Sequence, residues 1–125
     1  MARQVLVVDD STFMRRMISE SLTDGGWEVV AEAADGQEAV RRYRQFEPDA
    51  VTMDIVMPGT GGLSALEEIL EYDPSARIVV IGTLNQTRLI TQAIRRGACD
   101  FLAKPFLPEQ LQEAMLRCLK EPALT

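Results

Sequence analysis

Five mostly apolar stretches, separated by stretches of helical periodicity, constrain this chain more than any other feature. They lie near 4–9, 28–33, 49–54, 77–83 and 99–103. A strand with one wet face alternates apolar and polar residues. These runs do not alternate, so they read as strands buried on both faces. Between them fall five amphipathic segments. Near 12–24, Phe13, Met17, Ile18 and Leu22 mark one side, with Ser11 as N-cap and Gly25-Gly26 as the stop. Near 36–46 the face is Ala39, Val40, Tyr43 and Phe46, and Pro48 follows. Near 62–72 it is Leu63, Leu66, Ile69 and Leu70, with Pro74 beyond. Near 86–96 it is Leu89, Ile90, Ala93 and Ile94, closed by Gly97. Near 107–120 it is Leu111, Ala114, Met115, Cys118 and Leu119.

Five βα units in series predict an α/β fold: an open, doubly wound parallel sheet with helices on both faces. At 125 residues the chain is expected to form one domain over 1–125, with residues 121–125 frayed or cut. Its apolar runs are far short of the ~20 residues a membrane helix needs, and residues 1–4 lead straight into a strand with no signal-peptide core. The expectations are a cytoplasmic location and no membrane insertion. The net charge of −6 argues against direct nucleic-acid binding, which neutralises phosphates with Lys and Arg. With no histidine, Ser-His hydrolases and zinc-histidine sites are excluded. The two cysteines, Cys99 and Cys118, read as buried thiols in a reducing compartment.

In sheets of this kind ligands bind beyond the carboxyl ends of the strands, where strand order reverses. The residues at those ends suit one task. The first run ends in Asp9-Asp10, the third in Asp54, the fourth in Thr83 and the fifth in Lys104-Pro105. Two like charges about 4 Å apart repel by roughly 4 kcal/mol at an effective dielectric near 20. Three carboxylates therefore call for a cation. Mg²⁺ prefers hard oxygen ligands and works with few carboxylates plus a phosphate oxygen. Asp9, Asp10 and Asp54 are the expected ligands, with the backbone carbonyl of Val56 as a further one. Asp54 is the expected nucleophile, since a carboxylate can form an aspartyl-phosphate. Lys104 would neutralise phosphoryl charge and Thr83 would donate its hydroxyl. Pro105 suits a turn with a cis Lys104–Pro105 bond.

The chain resembles the response-regulator receiver domains of two-component signalling, most closely the CheY-type chemotaxis regulators. The resemblance runs from about residue 3 to 119. It rests on Val7-Val8-Asp9-Asp10-Ser11, on Asp49-Ala50-Val51-Thr52-Met53-Asp54 with Met57-Pro58, on Thr83, and on the run from Gly97 through Asp100-Phe101-Leu102-Ala103-Lys104-Pro105-Phe106. It implies a flavodoxin-like (βα)5 sheet of strand order 2-1-3-4-5. It implies that Asp54 accepts a phosphoryl group from a sensor histidine kinase, that Asp9 and Asp10 hold Mg²⁺, and that Lys104 pairs with the phosphate. Thr83 and Phe101 are then the switch residues. The surface of the fourth helix, fifth strand and fifth helix would bind a downstream output protein, such as a flagellar-motor component. Three positions depart from the family pattern. Leu84 follows Thr83 where a small residue is usual, and is expected to border the pocket. Gly61 replaces an acidic or amide residue in the 59–62 loop, which is expected to be mobile. Phe101 stands in place of Tyr.

Other readings of the same residues are a receiver domain from a larger regulator (a methylesterase or transcription factor) and a Mg²⁺-dependent phosphohydrolase with an aspartyl nucleophile. The familiar aspartate phosphatases carry Asp-x-Asp on the first strand; here the order is Asp9-Asp10-Ser11. A flavin binder would need a phosphate-cradling loop where Asp9-Asp10 would repel the phosphate.

Overall fold

Each apolar run is a strand and each amphipathic stretch a helix in the computed structural model, which describes residues 2–57, 59 and 61–119. Pro58 and Thr60 of the loop motif, Lys120 at the expected end of the last helix, and the tail 121–125 lie outside the described residues. In chain order the elements are β1 (Gln4–Val8), α1 (Thr12–Asp24), β2 (Glu28–Ala33), α2 (Gly36–Phe46), β3 (Ala50–Asp54), α3 (Gly62–Tyr72), β4 (Ile78–Thr83), α4 (Thr87–Arg96), β5 (Asp100–Lys104) and α5 (Pro108–Leu119). A 3₁₀ turn, Leu84–Gln86, joins β4 to α4. The five strands form one parallel sheet in the order β2-β1-β3-β4-β5. This is the expected doubly wound, flavodoxin-like order, and it reverses between β1 and β3.

The period-two geometry of a strand divides the core into two layers. Leu6, Val8, Val51, Met53, Ile78 and Val80 point toward α2, α3 and α4. Val5, Val7, Ala50, Val79, Ile81 and Leu102 point toward α1 and α5. The three central strands are buried almost throughout, while the edge strands β2 and β5 are only partly covered. Among the described residues, no helix is long and apolar enough to cross a membrane.

The punctuation read from the sequence has physical counterparts. Ser11 caps α1, its Oγ accepting from the Met14 N–H at 3.2 Å. Gly97 ends α4 at φ +120°, a conformation that side chains disfavour. Gly62, the first residue of α3, lies so close to β3 that an added Cβ would sit 2.8 Å from Ile55 Cα. The helix can pack there only without a side chain.

Two expectations are corrected. The buried face of α1 is Ile18 and Leu22, with Met14 partly buried beside them. Phe13 and Met17 stand in solvent, 69% and 41% exposed. Helical spacing groups all of these residues within a broad arc, and only the position of the sheet selects which side is covered. The cysteines are not free thiols: Cys99 and Cys118 are joined in a disulfide, with Cα atoms 5.6 Å apart. Cys118 is buried, whereas Cys99 is exposed. The reason is topological. Cys99 immediately precedes β5 and Cys118 lies in the last turn of α5, which runs back along that strand.

Candidate functional site

The register of the sheet assembles the site. Val8 pairs with Met53, so the next residues, Asp9 and Asp54, emerge side by side at the strand ends. Thr83 pairs with Lys104 across β4 and β5. Asp9, Asp10 and Asp54 each present a carboxylate oxygen, and these oxygens lie within 4.8 Å of one another. Asp9 and Asp54 are buried, at 1% and 6% exposure, while Asp10 is exposed. Three hard oxygen donors grouped so closely suit a hard divalent cation of the Mg²⁺ kind. Val56, the expected carbonyl ligand, follows in the turn after Asp54.

The two buried acids are each held by local bonds. Asp9 Oδ1 accepts from the Ser11 N–H at 2.9 Å, and the Asp9 carbonyl accepts from Arg15 Nη1 at 2.6 Å. Arg15 is in turn paired with Glu32 on β2 at 3.2 Å. Asp54 Oδ1 accepts from the Val56 N–H at 3.2 Å. Lys104 reaches over from β5, placing Nζ 3.2 Å from Asp54 Oδ2 and 3.4 Å from Asp9 Oδ2. A cis Lys104–Pro105 bond follows it, as the sequence suggested.

The charges are not balanced by these contacts. Burial and then the neighbouring Asp9 push the Asp54 carboxyl above its ordinary range, although Lys104 and the Val56 N–H pull it back in part. Burial alone would lower the Lys104 ammonium, but Asp54 and Asp9 together outweigh it and the net direction is up. Lys104 is therefore charged at neutral pH, facing a carboxylate that resists ionisation. The ionised cluster carries excess negative charge, which a cation would relieve.

Thr83 occupies the predicted strand end, but its hydroxyl is engaged elsewhere. It donates to Asn85 Oδ1 within the following turn. The Thr83 N–H donates to Gln86 Oε1 at 2.9 Å, and the Gln86 backbone N–H donates back to the Thr83 side chain, completing a capping box. Gly82 makes room for this: a Cβ there would lie 2.7 Å from Gln86 Oε1 and 2.9 Å from Ile55 Cγ2. Phe101 is half-buried and packs against the layer under α2, α3 and α4. Leu84 projects into solvent from the 3₁₀ turn, 71% exposed.

Asn85, Gln86 and Arg15 are the site's supporting residues that sequence reasoning missed. The Thr83-x-x-Gln86 spacing carried a signal for one of them, since Ser/Thr-x-x-Glu/Gln is the capping-box pattern. Nothing in the spacing of Arg15 singles it out, because its partners come from β1 and β2.

A parallel α/β sheet that gathers three aspartates and a lysine at its strand ends defines a class of domain whose site suits a hard divalent cation. The chain belongs to the response regulator receiver domain family, whose model matches residues 5–116. Among its relatives, the chemotaxis protein CheY of Thermotoga maritima is 44% identical over 96% of this chain and all of that one. A protein-glutamate methylesterase/protein-glutamine glutaminase of Syntrophomonas wolfei is 43% identical, over 82% of this chain and 30% of its own length. Among solved structures, CheY in the CheX–CheY–BeF3–Mg²⁺ complex of Borrelia burgdorferi superposes with a TM-score of 0.90. It is 32% identical, over 95% of this chain and 90% of that one.

Proposed function

We propose that this chain is a phosphorylation-activated switch in which Asp54 accepts a phosphoryl group from the phosphohistidine of a sensor kinase. One observation carries the reading: Asp54, at the end of the central strand, has Lys104 Nζ at 3.2 Å and shares its pocket with two further aspartates. In the transfer, an Asp54 oxygen bonds to phosphorus as the phosphorus–nitrogen bond of the donor histidine breaks. The imidazole leaves with the electron pair and the aspartyl-phosphate remains. Asp9, Asp10, Asp54 and the Val56 carbonyl would hold Mg²⁺. When bound, that ion supplies positive charge to offset the carboxylates and the phosphoryl oxygens.

The chain's own residues do the rest. Lys104 transfers its contact from the Asp54 carboxylate to a phosphoryl oxygen. Thr83 releases Asn85 and donates its hydroxyl to another, and Phe101 packs into the space behind it. The change biases the α4–β5–α5 surface between two states. A swing from 1:99 to 99:1 needs a ~10⁴-fold preference. That surface then binds an output protein, and the likeness to chemotaxis proteins supports a flagellar-motor or similar effector. The protein assists its own phosphorylation and dephosphorylation and is not an enzyme in the ordinary sense. The reading extends to one receiver domain over 1–125, working in the cytoplasm.

Acetyl phosphate with Mg²⁺ should label the protein with one phosphoryl group, and Asp54→Asn should not be labelled. Equal labelling of Asp54→Asn would refute the assignment of the acceptor. Sustained multiple-turnover hydrolysis of phosphate esters would instead identify a phosphohydrolase.

A further inference from the structure

The Cys99–Cys118 bond lies on the side of the molecule that the switch would move. It ties the residue preceding β5 to the last turn of α5. The segment it closes, 99–118, contains both Phe101 and Lys104. A second, ionic link runs beside it: Asp100, next to Cys99, pairs with Arg117, next to Cys118, at 2.6 Å. The two cysteines differ in access, since Cys99 is an exposed residue and Cys118 is 6% exposed. Attack on a disulfide depends on reaching a sulfur from solvent, and here one end can be reached. The reduced state is also provided for. The Ile78 carbonyl oxygen lies 3.4 Å from Cys99 Sγ, ready to accept from the free thiol. The Cys118 thiol would remain as a small apolar group among Leu111, Ala114 and Met115.

The geometry points to Cys99–Cys118 as a thiol–disulfide exchange site, whose redox state sets how firmly α5 is held to β5. The co-reactant is a small thiol or a dithiol oxidoreductase, entering at Cys99. Its thiolate bonds to Cys99 Sγ as the Sγ–Sγ bond breaks. Cys118 leaves with the electron pair and takes a proton from water. A second thiolate then attacks the mixed disulfide and releases Cys99. Two electrons pass to the protein, and the co-reactant leaves as its disulfide. The reverse reaction uses that disulfide as oxidant. With the covalent tie gone, the Arg117–Asp100 pair and the apolar contacts of α5 still hold the fold. Exposed ion pairs hold loosely, so the last turn of α5 opens more often. This site operates whether or not Asp54 is the phosphoacceptor.

The test uses the whole chain, folded and without denaturant. Protein equilibrated with glutathione disulfide should show no thiol that iodoacetamide can alkylate. After dithiothreitol in the same buffer, both cysteines should be alkylated, as read by intact mass. Reduction should speed amide exchange in the last turn of α5 by roughly tenfold or more, with α2 unchanged as an internal control. The Cys99→Ser/Cys118→Ser variant should show the fast exchange under both conditions. The proposal is overturned if two free thiols persist in the presence of glutathione disulfide, or if a Cys99-linked dimer forms instead. It is equally overturned if the bond yields to dithiothreitol only after unfolding, or if α5 exchange ignores the redox state.

Discussion

Replacing Asp54 with Asn should stabilise the metal-free protein at neutral pH. Asp54 lies within 4.8 Å of Asp9 and Asp10, and 3.2 Å from Lys104 Nζ. At an effective dielectric of about 20, the Asp9 repulsion is at least about 3.5 kcal/mol and the Lys104 attraction about 5 kcal/mol. Solvent-screened repulsion from Asp10 and the desolvation of a buried carboxylate add a few kcal/mol on the unfavourable side. The balance goes against the ionised acid, in keeping with the upward direction of its titration, and removing the charge should gain on the order of 1 kcal/mol. The asparagine side chain keeps an oxygen for the Val56 N–H but carries no charge. Urea unfolding in EDTA should therefore show a higher midpoint with an unchanged slope. Each kcal/mol is worth roughly 3–5 °C in a chain of this size.

The effect must also depend on pH in a fixed direction. Folding raises the pKa of Asp54, so the stability tied to its neutral form is complete below the unfolded value. That stability is lost as pH rises through the folded value. The amide of the Asp54→Asn variant does not titrate. The gap between variant and wild type should be small in acid and open as pH rises. A variant less stable than wild type at neutral pH, or a gap that ignores pH, would refute the electrostatic account of the pocket.

Lys104→Ala should act in the opposite sense, lowering metal-free stability by about 2–4 kcal/mol, because two buried carboxylates lose their shared cation. Added MgCl₂ should stabilise that variant more than wild type in the same urea assay. Gln86→Ala should cost about 1 kcal/mol by unpairing the Thr83 N–H, and faster amide exchange at Thr83 would report the loss directly. Leu84→Ala should stay within about 0.5 kcal/mol of wild type, since the side chain is 71% exposed. It should nonetheless change the decay rate of the phosphorylated protein, because it directly follows Thr83 in the chain; an unchanged rate would show that Leu84 plays no part in the site.

How far the sequence reached follows from the range over which each signal acts. The element boundaries were legible because their causes are local. Ser11 caps the helix that follows it, and Gly97 takes a conformation that stops the helix before it. The helical faces were legible only in outline. Phe13 and Met17 share an arc with Ile18 and Leu22, and their exposure depends on where α1 meets the sheet. The carboxylate cluster was legible for a different reason. Buried parallel strands all point one way, so a polar residue ending each run must arrive at the same edge.

The sequence by itself determined the succession of strands and helices and the residues delivered to the strand ends. Both depend on hydrophobic period and on turn chemistry, which act within a few residues. Tertiary structure alone decided the rest. It brought Lys104 to 3.2 Å from Asp54, 50 residues away. It turned the Thr83 hydroxyl toward Asn85, and it joined Cys99 to Cys118 across β5 and α5. Those pairings depend on sheet register and on the direction in which a helix returns over its strand, and no local pattern encodes either one.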